Sequence, residues 1–454
     1  MKRKLQILLM VFVFVGSPGF SIVNNHYGLK VIHVSAENRV LNKAYKKPKN
    51  IIFLIGDGMG IGQMEIARLF EYGKEGRLFM QTLPHLGLVQ TYSANNFVTD
   101  SAAGATALAT GHKTNNGMIG VTPDGKEAKS ILDLFKEHGK KVGVISTNTV
   151  TDATPAAFTA SVNNRWSGQA EIARQQLENQ IDVILGGGAS MFKPENQNGI
   201  DLIDQFKQKG YTYVTDRGQL QNVKGEKILG LFHPSYMTFK QDRDELRSNE
   251  PDLKLMAQKA IETLSIGNKG FFVMIEGARI DHAAHSADIP GIWKEMMEFD
   301  QTVEYAVKWA EKQGDTLVVV AADHETMGIS APEPLNVEAY KKIKVSPEYM
   351  AAQLVYDQGS QQYTIESIRD VFYRFAGISL SDSEAQKLNT RLKSNSGKVY
   401  ASKQTAWEIG SLIAEYMNAG ILDRKVRAQS PTGGHTANMI PIFSFGQEPN
   451  GLKE

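Results

Sequence analysis

Short apolar runs alternate along this chain with longer stretches in which apolar and polar positions recur at helical spacing. Five of the apolar runs predict β-strands, at residues 50–55, 141–146, 182–185, 271–275 and 316–321. The amphipathic stretches between them predict helices, among them residues 131–138, 170–177, 253–264 and 293–312. Because strands of this kind belong to sheets covered by helices on both faces, we predict an α/β fold, a three-layer α/β/α sandwich around a central, mostly parallel sheet.

Three of the predicted strands run directly into acidic residues. The first leads into Asp57, which lies between two glycines, the fourth into Glu276, and the fifth into Asp323 and His324. In open parallel sheets the chemistry collects beyond the carboxyl ends of the strands, so we expect these side chains to meet there. Two of them also have a purely structural alternative: Asp57 would cap a helix, and Glu276 would be a buried, hydrogen-bonded carboxylate.

Further metal-ligand residue types follow the same pattern. Asp281 and His285 are four residues apart, and on a helix this spacing places both on one face, able to bind one ion. A solvated Asp/His pair on a helix surface is the alternative. Asp323 and His324 are adjacent, which suits a loop where both converge on one metal. His435 stands on a glycine-rich turn, where a solvent-exposed histidine is the alternative. Taken together, four carboxylates and three histidines predict a two-zinc or three-metal centre.

A candidate nucleophile stands at the start of a predicted helix. Ser101 follows Asp100 and precedes the small residues 102–109, which favour a tightly packed helix. The free N–H groups and the positive end of the helix dipole would gather at Ser101 and could bind a phosphate or another oxyanion. An ordinary Asp/Ser helix cap is the alternative, and only the neighbouring metal-ligand pattern favours a nucleophile.

The N-terminus differs from the rest of an ordinary globular composition of 42% hydrophobic and 22% charged residues. Three basic residues, Lys2, Arg3 and Lys4, precede an apolar run at 5–15, a pattern typical of a secretory signal peptide and too short to span a membrane. A buried first strand is the alternative. We predict a signal peptide at 1–36, with its cleavage site open, followed by a flexible lead-in at 37–48.

Charge and cysteine content exclude several classes of function. Removing residues 1–36 takes away four basic residues and no acidic one, which leaves 46 basic against 49 acidic side chains and a net charge of −3. This near-neutral chain gives no reason to expect nucleic acid or an anionic membrane as a partner. The absence of cysteine excludes disulfides, a thiol nucleophile and a sulfatase whose nucleophile is made from cysteine.

Six motifs, in consistent order and spacing over residues 48–446, resemble those of the bacterial alkaline phosphatases. They are GDGMG at 56–60, DSAAGAT at 100–106, TDATPAA at 151–157, EGxxIDxxxH at 276–285, ADHE at 322–325 and GGHT at 433–436. The resemblance implies one catalytic domain over 49–454, with a smaller inserted region at about 331–430. Members of the family are frequently dimers, so a homodimer is a further expectation.

Residue by residue, the resemblance implies a phosphoserine mechanism with two Zn²⁺ and one Mg²⁺. Ser101 would become phosphorylated, Arg165 would bind the phosphoryl group, and His282 would contact phosphate indirectly or through water. The resemblance divides the metal ligands into three sets: Asp57, Asp323 and His324 for the zinc at the serine; Asp281, His285 and His435 for the second zinc; and Asp57, Thr154 and Glu276 for magnesium, with Asp152 reaching it through water.

The implied function is that of a secreted phosphomonoesterase, extracellular, periplasmic or associated with the cell wall, that acts on small phosphate monoesters. A phosphodiesterase of the same superfamily is one alternative, although such enzymes usually lack an arginine equivalent to Arg165. A catalytically silent metal-binding or phosphate-binding surface protein is another. Such a protein should have lost Ser101 or a zinc ligand, and this sequence retains them all.

Overall fold

The structure, a computed structural model, describes residues 48–267, 269–393 and 403–446. The predicted signal peptide and nearly all of the predicted lead-in therefore lie outside the described residues, as does the C-terminal end, 447–454. The described strands are β1 (Asn50–Gly56), β2 (His85–Val89), β3 (Lys141–Thr149), β4 (Val183–Gly187), β5 (Thr212–Val214), β6 (Ile228–Leu231), β7 (Phe271–Gly277), β8 (Thr316–Ala321), β9 (Glu325–Thr326), β10 (Tyr356–Asp357), β11 (Gln362–Tyr363), β12 (His435–Thr436) and β13 (Ile440–Phe445).

Helices fill most of the intervals between these strands. They are α1 (Ile61–Tyr72), α2 (Ser101–Thr110), α3 (Ile131–Glu137), α4 (Ala153–Thr159), α5 (Gln169–Glu178), α6 (Leu202–Gln208), α7 (Arg217–Asn222), α8 (Lys240–Glu245), α9 (Leu253–Leu264), α10 (Arg279–His285), α11 (Ile289–Gln313), α12 (Val337–Tyr340), α13 (Pro347–Ala352), α14 (Ile365–Ala376), α15 (Asp382–Lys393), α16 (Gln404–Met417) and α17 (Arg424–Gln429). Within the described ranges, no helix is both long enough and apolar enough to cross a membrane.

A nine-stranded sheet forms the centre of the molecule, in the order β2-β13-β8-β1-β7-β3-β4-β6-β5. Every neighbouring pair from β8 to β5 is parallel, whereas β13 pairs antiparallel with both β8 and β2. The predicted α/β class with a mostly parallel sheet is confirmed. The antiparallel strand β13 and its partner β2 were not among the strands that the sequence pattern predicted.

The sheet separates two hydrophobic cores because successive side chains of a strand point to opposite faces. In β1, Ile52 and Leu54 belong to the core shared with α1, α9 and α11. Phe53 and Ile55 belong to the other core, which α2 to α6 cover. The central strands are therefore apolar on both faces, as the continuous apolar runs in the sequence indicated.

Helices α12 to α17, which we call the helical subregion, lie in the chain between β9 and β12 and pack against the end of α10. Gly410 of α16 sits directly on the Ser286 carbonyl, since a Cβ at this glycine would lie 1.8 Å from that oxygen. Arg427 of α17 donates to the carbonyl of His285 at 3.4 Å and to the Glu408 carboxylate at 3.2 Å. The subregion is thus attached at the position where α10 ends.

The small residues of α2 allow this helix to approach the loop after β8. Asp100 caps α2 by accepting a hydrogen bond from the Ala103 amide at 3.0 Å. At Gly104, a Cβ would lie 2.8 Å from the backbone oxygen of Asp323, closer than real Cβ contacts allow. Glycine at this position therefore brings the N-terminal turn of α2, with Ser101, against the end of β8.

We expect Gly104→Ala to lower the free energy of unfolding. The added methyl group meets a backbone oxygen, and overpacking of this kind costs about 1–3 kcal/mol, of which the better helix propensity of alanine recovers at most about 1 kcal/mol. Urea denaturation measures the change, with Ala107→Ser on the partly exposed side of the same helix as the control. Unchanged or increased stability of Gly104→Ala would contradict the close packing of α2.

Candidate metal centre and phosphate site

Three acidic residues meet at one edge of the sheet because β1 lies between β8 and β7. Ile55 pairs with Glu276 on one side and with Ala321 on the other, so the strands end at the same level. Asp57 follows β1 at once, and Asp323 follows β8 in a loop, as predicted. The carboxyl edge of the sheet therefore concentrates negative charge in a buried place.

Asp57, Asp323 and His324 form one compact group whose ligand atoms all lie within 4.8 Å of one another. His324 Nε2 is 3.5 Å from Asp57 Oδ1 and 3.2 Å from Asp323 Oδ2. The same nitrogen lies 3.1 Å from Ser101 Oγ, so the serine hydroxyl adjoins this group directly. All four side chains are buried.

Asp281, His285 and His435 form a second such group. Asp281 and His285 lie on one face of α10, as their spacing predicted, with His285 Nε2 at 3.3 Å from Asp281 Oδ2. His435, at the start of β12, brings its Nε2 to 3.2 Å from that of His285 and to 3.7 Å from Asp281 Oδ1. The solvent-exposed alternative for His435 is wrong, since the residue is only 7% exposed.

Hydrogen bonds on the far side of both imidazole rings in the second group fix their tautomers. His285 Nδ1 lies 3.1 Å from the Gly433 carbonyl oxygen, and His435 Nδ1 lies 3.0 Å from that of Thr99. A carbonyl can only accept, so Nδ1 carries a hydrogen in each ring, and Nε2 is the nitrogen that faces Asp281 and is left to bind a metal. This is the arrangement that histidine metal ligands adopt.

The electrostatics of the two groups fit bound cations. Burial, and then the charges of Asp323 and Asp281, raise the pKa of Asp57 well above its ordinary value. Asp57 Oδ1 and Asp323 Oδ2 are fully buried and accept no hydrogen bond from any described residue. Buried carboxylate oxygens without donors are costly, and a cation between them would remove that cost. Both groups therefore have the donor atoms and the charge that a divalent metal requires.

A third set of donors contains only oxygen atoms. Glu276 accepts a hydrogen bond from the Ser146 hydroxyl, and burial raises the pKa of Glu276 to about 8. Thr154 Oγ1 is buried and has no hydrogen-bond partner among the described residues. Asp152, two residues before Thr154, caps α4. Carboxylate and hydroxyl oxygens are the donors that Mg²⁺ prefers, so this set fits magnesium better than zinc.

Arg165 is held between two carboxylates beside the serine. Its Nη2 lies 2.8 Å from Asp152 Oδ1, and its Nη1 lies 3.3 Å from Asp100 Oδ2. The side chain is 7% exposed, and it lines the same cavity as Ser101. The planar guanidinium fork is therefore positioned before a ligand arrives, in a geometry suited to two oxygens of a phosphoryl group.

His282 lies in the cavity wall, where Arg279 determines its protonation state. Arg279 Nη1 is 2.8 Å from His282 Nδ1, and a guanidinium can only donate, so Nδ1 is the acceptor and the ring is neutral. Burial and the positive charges of Lys403 and Arg279 lower the pKa of His282 well below its usual range. His282 can thus offer an Nε2–H donor to an anion in the cavity.

Two contributors to the site, Thr326 and Arg279, were missed by the sequence interpretation, and a third, Asp100, was considered only as a helix cap. Thr326 donates to Asp281 Oδ1 at 2.6 Å and lies 3.2 Å from His324 Nδ1, so it connects the two metal-ligand groups. Asp100 and Arg279 orient Arg165 and His282. The position of Thr326, two residues after His324 and therefore on the same side of an extended chain, was a signal that could have found it.

Comparison with known proteins places the chain in a family. A family model described as alkaline phosphatase matches residues 48–452. Alkaline phosphatase 3 of Bacillus subtilis is 35% identical over 412 residues, covering 88% of this chain and 84% of the relative. Alkaline phosphatase of Escherichia coli is 36% identical over 331 residues, covering 62% of this chain and 70% of the relative.

Solved structures agree in fold. The alkaline phosphatase of Thermus thermophilus superimposes with a TM-score of 0.79 at 28% identity, covering 89% of this chain and 87% of that one. A variant of the enzyme from the Antarctic bacterium TAB5, described with Mg bound in its M3 site, gives a TM-score of 0.62 at 27% identity, covering 88% and 92%. The class is that of the phosphomonoester hydrolases. Within it, this chain belongs to the alkaline phosphatase family, as its motifs predicted.

Thr326→Val should weaken metal binding about 10–100-fold, because loss of an outer hydrogen bond to a metal ligand has effects of this size. Valine keeps the shape of the side chain but cannot donate to Asp281. Titration of the metal-depleted protein with zinc, in competition with a chromophoric chelator, measures the affinity. Thr390→Val, at an exposed position of α15, is the matched control. Equal zinc affinity in both variants would contradict a role for Thr326 in orienting Asp281.

Proposed function

We propose that this protein hydrolyses phosphate monoesters through a phosphoserine intermediate on Ser101 and releases inorganic phosphate. The observation that carries this proposal is the position of Ser101 Oγ, 3.1 Å from His324 Nε2 and at the N-terminus of α2. A serine at a plain helix cap has no reason to lie against a group of buried metal-ligand residues. A serine that attacks phosphorus needs both the ligands and the helix N-terminus.

The donor types support the assignment of two zinc ions and one magnesium ion. Imidazole nitrogen and carboxylate oxygen in groups of three suit zinc, so one zinc would lie at Asp57, Asp323 and His324 and another at Asp281, His285 and His435. Magnesium would be held by Glu276, Thr154 and Asp57, with Asp152 reaching it through water. Bound there, the ions would supply Lewis-acid stabilisation of the serine alkoxide and of the leaving oxygen.

The protein's own groups carry the rest of the first displacement. Arg165 binds two non-bridging oxygens and orients the phosphoryl group so that Ser101 Oγ attacks phosphorus in line with the leaving oxygen. The free N–H groups at the start of α2 stabilise the charge on the phosphoryl oxygens. The P–O bond to the alcohol breaks as the bond to Ser101 forms, and the alcohol leaves.

The second displacement reverses the first, with water as the nucleophile. Water attacks phosphoserine from the side that the alcohol has left, which frees the serine and releases inorganic phosphate. His282, as a neutral donor in the cavity wall, would contact the phosphate through its Nε2–H or through water. Since each displacement inverts the configuration at phosphorus, the whole reaction retains it.

We also propose that the protein is exported and that residues 49–454 form its catalytic domain, with the helical subregion as the inserted part. The basic and apolar pattern at 1–36 supports export. Small phosphate monoesters are the proposed substrates, since the reacting serine lies inside a cavity rather than on an open surface. Homodimer formation stays a prediction of the family resemblance.

Ser101→Ala should abolish monoester hydrolysis and the incorporation of labelled phosphate into acid-quenched protein, because no other group takes the phosphoryl. Removal of the metals with a chelator should have the same effect on the wild type. Ser383→Ala, at an exposed position of α15, serves as the control and should retain both activities. Hydrolysis that survives both the Ser101 substitution and the chelator would overturn the proposed centre.

Paired substrates distinguish this proposal from a phosphodiesterase. We expect 4-nitrophenyl phosphate to be hydrolysed faster per active site than bis(4-nitrophenyl) phosphate. A monoester dianion offers three non-bridging oxygens and two charges to Arg165 and the neighbouring cation sites, whereas a diester offers two oxygens and one charge and must also place a second ester substituent. Steady-state kcat/KM values for the two esters make the comparison. A larger value for the diester would favour the phosphodiesterase, and no turnover of either ester would favour a silent binding protein.

A further inference from the structure

The cavity at Ser101 extends well beyond the space that a phosphoryl group needs. Its volume is about 510 Å³, within the roughly 300–1,000 Å³ typical of sites for whole small molecules. Ser101, Asp57 and Arg165 line its inner end. The helical subregion and neighbouring loops line the rest, including Tyr236, Arg279, Glu348 and Lys403. The alcohol part of a substrate must lie against this outer wall.

One cation of the outer wall is already neutralised. Arg279 Nη2 lies 3.1 Å from Glu348 Oε2, while its Nη1 donates to His282. The guanidinium group also stacks 3.5 Å from the Phe239 ring centroid, and the side chain is 2% exposed. Arg279 is therefore fixed by its neighbours and offers no free charge to a ligand.

Lys403 is a second cation of the outer wall, and its contacts differ from those of Arg279. Its Nζ lies 4.0 Å from the centre of the Tyr236 ring, and within the described residues no carboxylate comes within 4.0 Å of it. Burial, followed by the charge of Arg279, lowers the pKa of Lys403 to about 8, while the charges of Asp152, Glu348 and Asp281 oppose this shift from a longer distance. The ammonium group is therefore charged at neutral pH, with no described carboxylate in direct contact. A partly buried ammonium in a cavity is stabilised when an anion binds beside it.

The backbone adds positive potential at the same place. Lys403 is the N-cap residue of α16, a helix of 14 residues, and its own side chain makes no capping hydrogen bond to the first turn. Thr405 and Ala406 of that turn line the cavity with Lys403. The N-terminal end of a helix carries a partial positive charge, which reinforces the ammonium group.

We propose that Lys403 and the N-terminus of α16 form a leaving-group subsite that favours phosphate monoesters whose alcohol carries a second anionic group, such as a carboxylate or another phosphate. This inference rests on the proposed function, because the subsite acts on an ester whose phosphoryl group is bound at Ser101. Tyr236 forms the floor of the subsite beneath the ammonium group, and Glu348 stays engaged with Arg279.

The test compares esters that differ in charge but hardly in shape. The probes are 4-carboxyphenyl phosphate and 4-carbamoylphenyl phosphate, together with the corresponding pair substituted at the 3-position. Both positions are tested because the distance from the phosphoryl group determines which of the two carboxylates can contact Lys403. The full-length protein, loaded with its metals, is assayed at pH 7, and the readout is the ratio of kcat/KM for the carboxylate over the amide. A ratio taken within one preparation is independent of the fraction of protein that is folded.

The 3- or 4-substituted pair of esters for which the wild type has the larger carboxylate-to-amide ratio is used for the comparison. With this pair, we expect Lys403→Met to lower the ratio roughly tenfold, because the variant loses one partly buried charge pair. Lys403→Arg should keep most of the preference because it keeps the charge. Lys425→Met, which removes an exposed lysine from α17 of the same subregion, should leave the ratio unchanged.

The following results would contradict the proposed subsite. A wild-type ratio retained in Lys403→Met would show that the ammonium group does not select the substrate, and an equal fall in Lys403→Arg would show that charge is not the cause. Failure of the wild type to hydrolyse any of the four esters would refute the proposed function and this inference with it. The two failures are distinguishable: failure of the proposed function is seen in the wild-type protein itself, whereas failure of the subsite is seen only when the ratios of the variants are compared with that of the wild type.

Discussion

Repulsion between buried carboxylates is the constraint on which this structure depends. The strand order places the ends of β8, β1 and β7 side by side, so Asp323, Asp57 and Glu276 share one buried edge of the sheet. The fold alone does not neutralise them, and burial raises the pKa of Asp57 and Glu276 accordingly. Bound cations would neutralise these carboxylates. The surrounding imidazoles, their hydrogen bonds to backbone carbonyls and the nearby oxygen donors are arranged as such cations require.

Ser101 lies at that edge because the small side chains of α2 let the helix pack closely against the end of β8. Asp100 has two roles, since it caps α2 through Ala103 and also holds one nitrogen of Arg165. A single carboxylate thus contacts both the helix that carries Ser101, the proposed nucleophile, and Arg165, the proposed phosphate-binding group. Gly104 removes the side chain that would keep the helix away from Asp323. Helix capping and catalytic positioning, which first appeared as alternatives for this segment, are here the same interaction.

Local patterns predicted the parts of this molecule that are locally determined. Strand 316–321 and helix 253–264 have the predicted bounds, and the four-residue spacing of Asp281 and His285 did place both on one helix. Strand β13 was missed because Pro441 interrupts its apolar pattern and its pairing partner, β2, leaves Leu86 exposed. Lys403 was missed for another reason: it contacts Tyr236, which is distant in sequence, and no local pattern reports such a contact. Thr326 and Arg279 do have near neighbours in His324 and His282, but their contacts with Asp281 and Glu348 are equally long-range. The motif resemblance supplied the ligand list, but not these supporting contacts.

The chemistry of the donor atoms has a consequence for where such a site can work. The residues that would hold the metals offer imidazole nitrogen, carboxylate oxygen and hydroxyl oxygen, and the chain contains no cysteine. A zinc site built on thiolates loses its ligands when sulfur is oxidised to a disulfide or a sulfenic acid. None of the donor groups here undergoes that reaction, so metal affinity should be indifferent to the redox poise of the surroundings. The price of this tolerance is sensitivity to acid, because protons compete for these nitrogen and oxygen atoms.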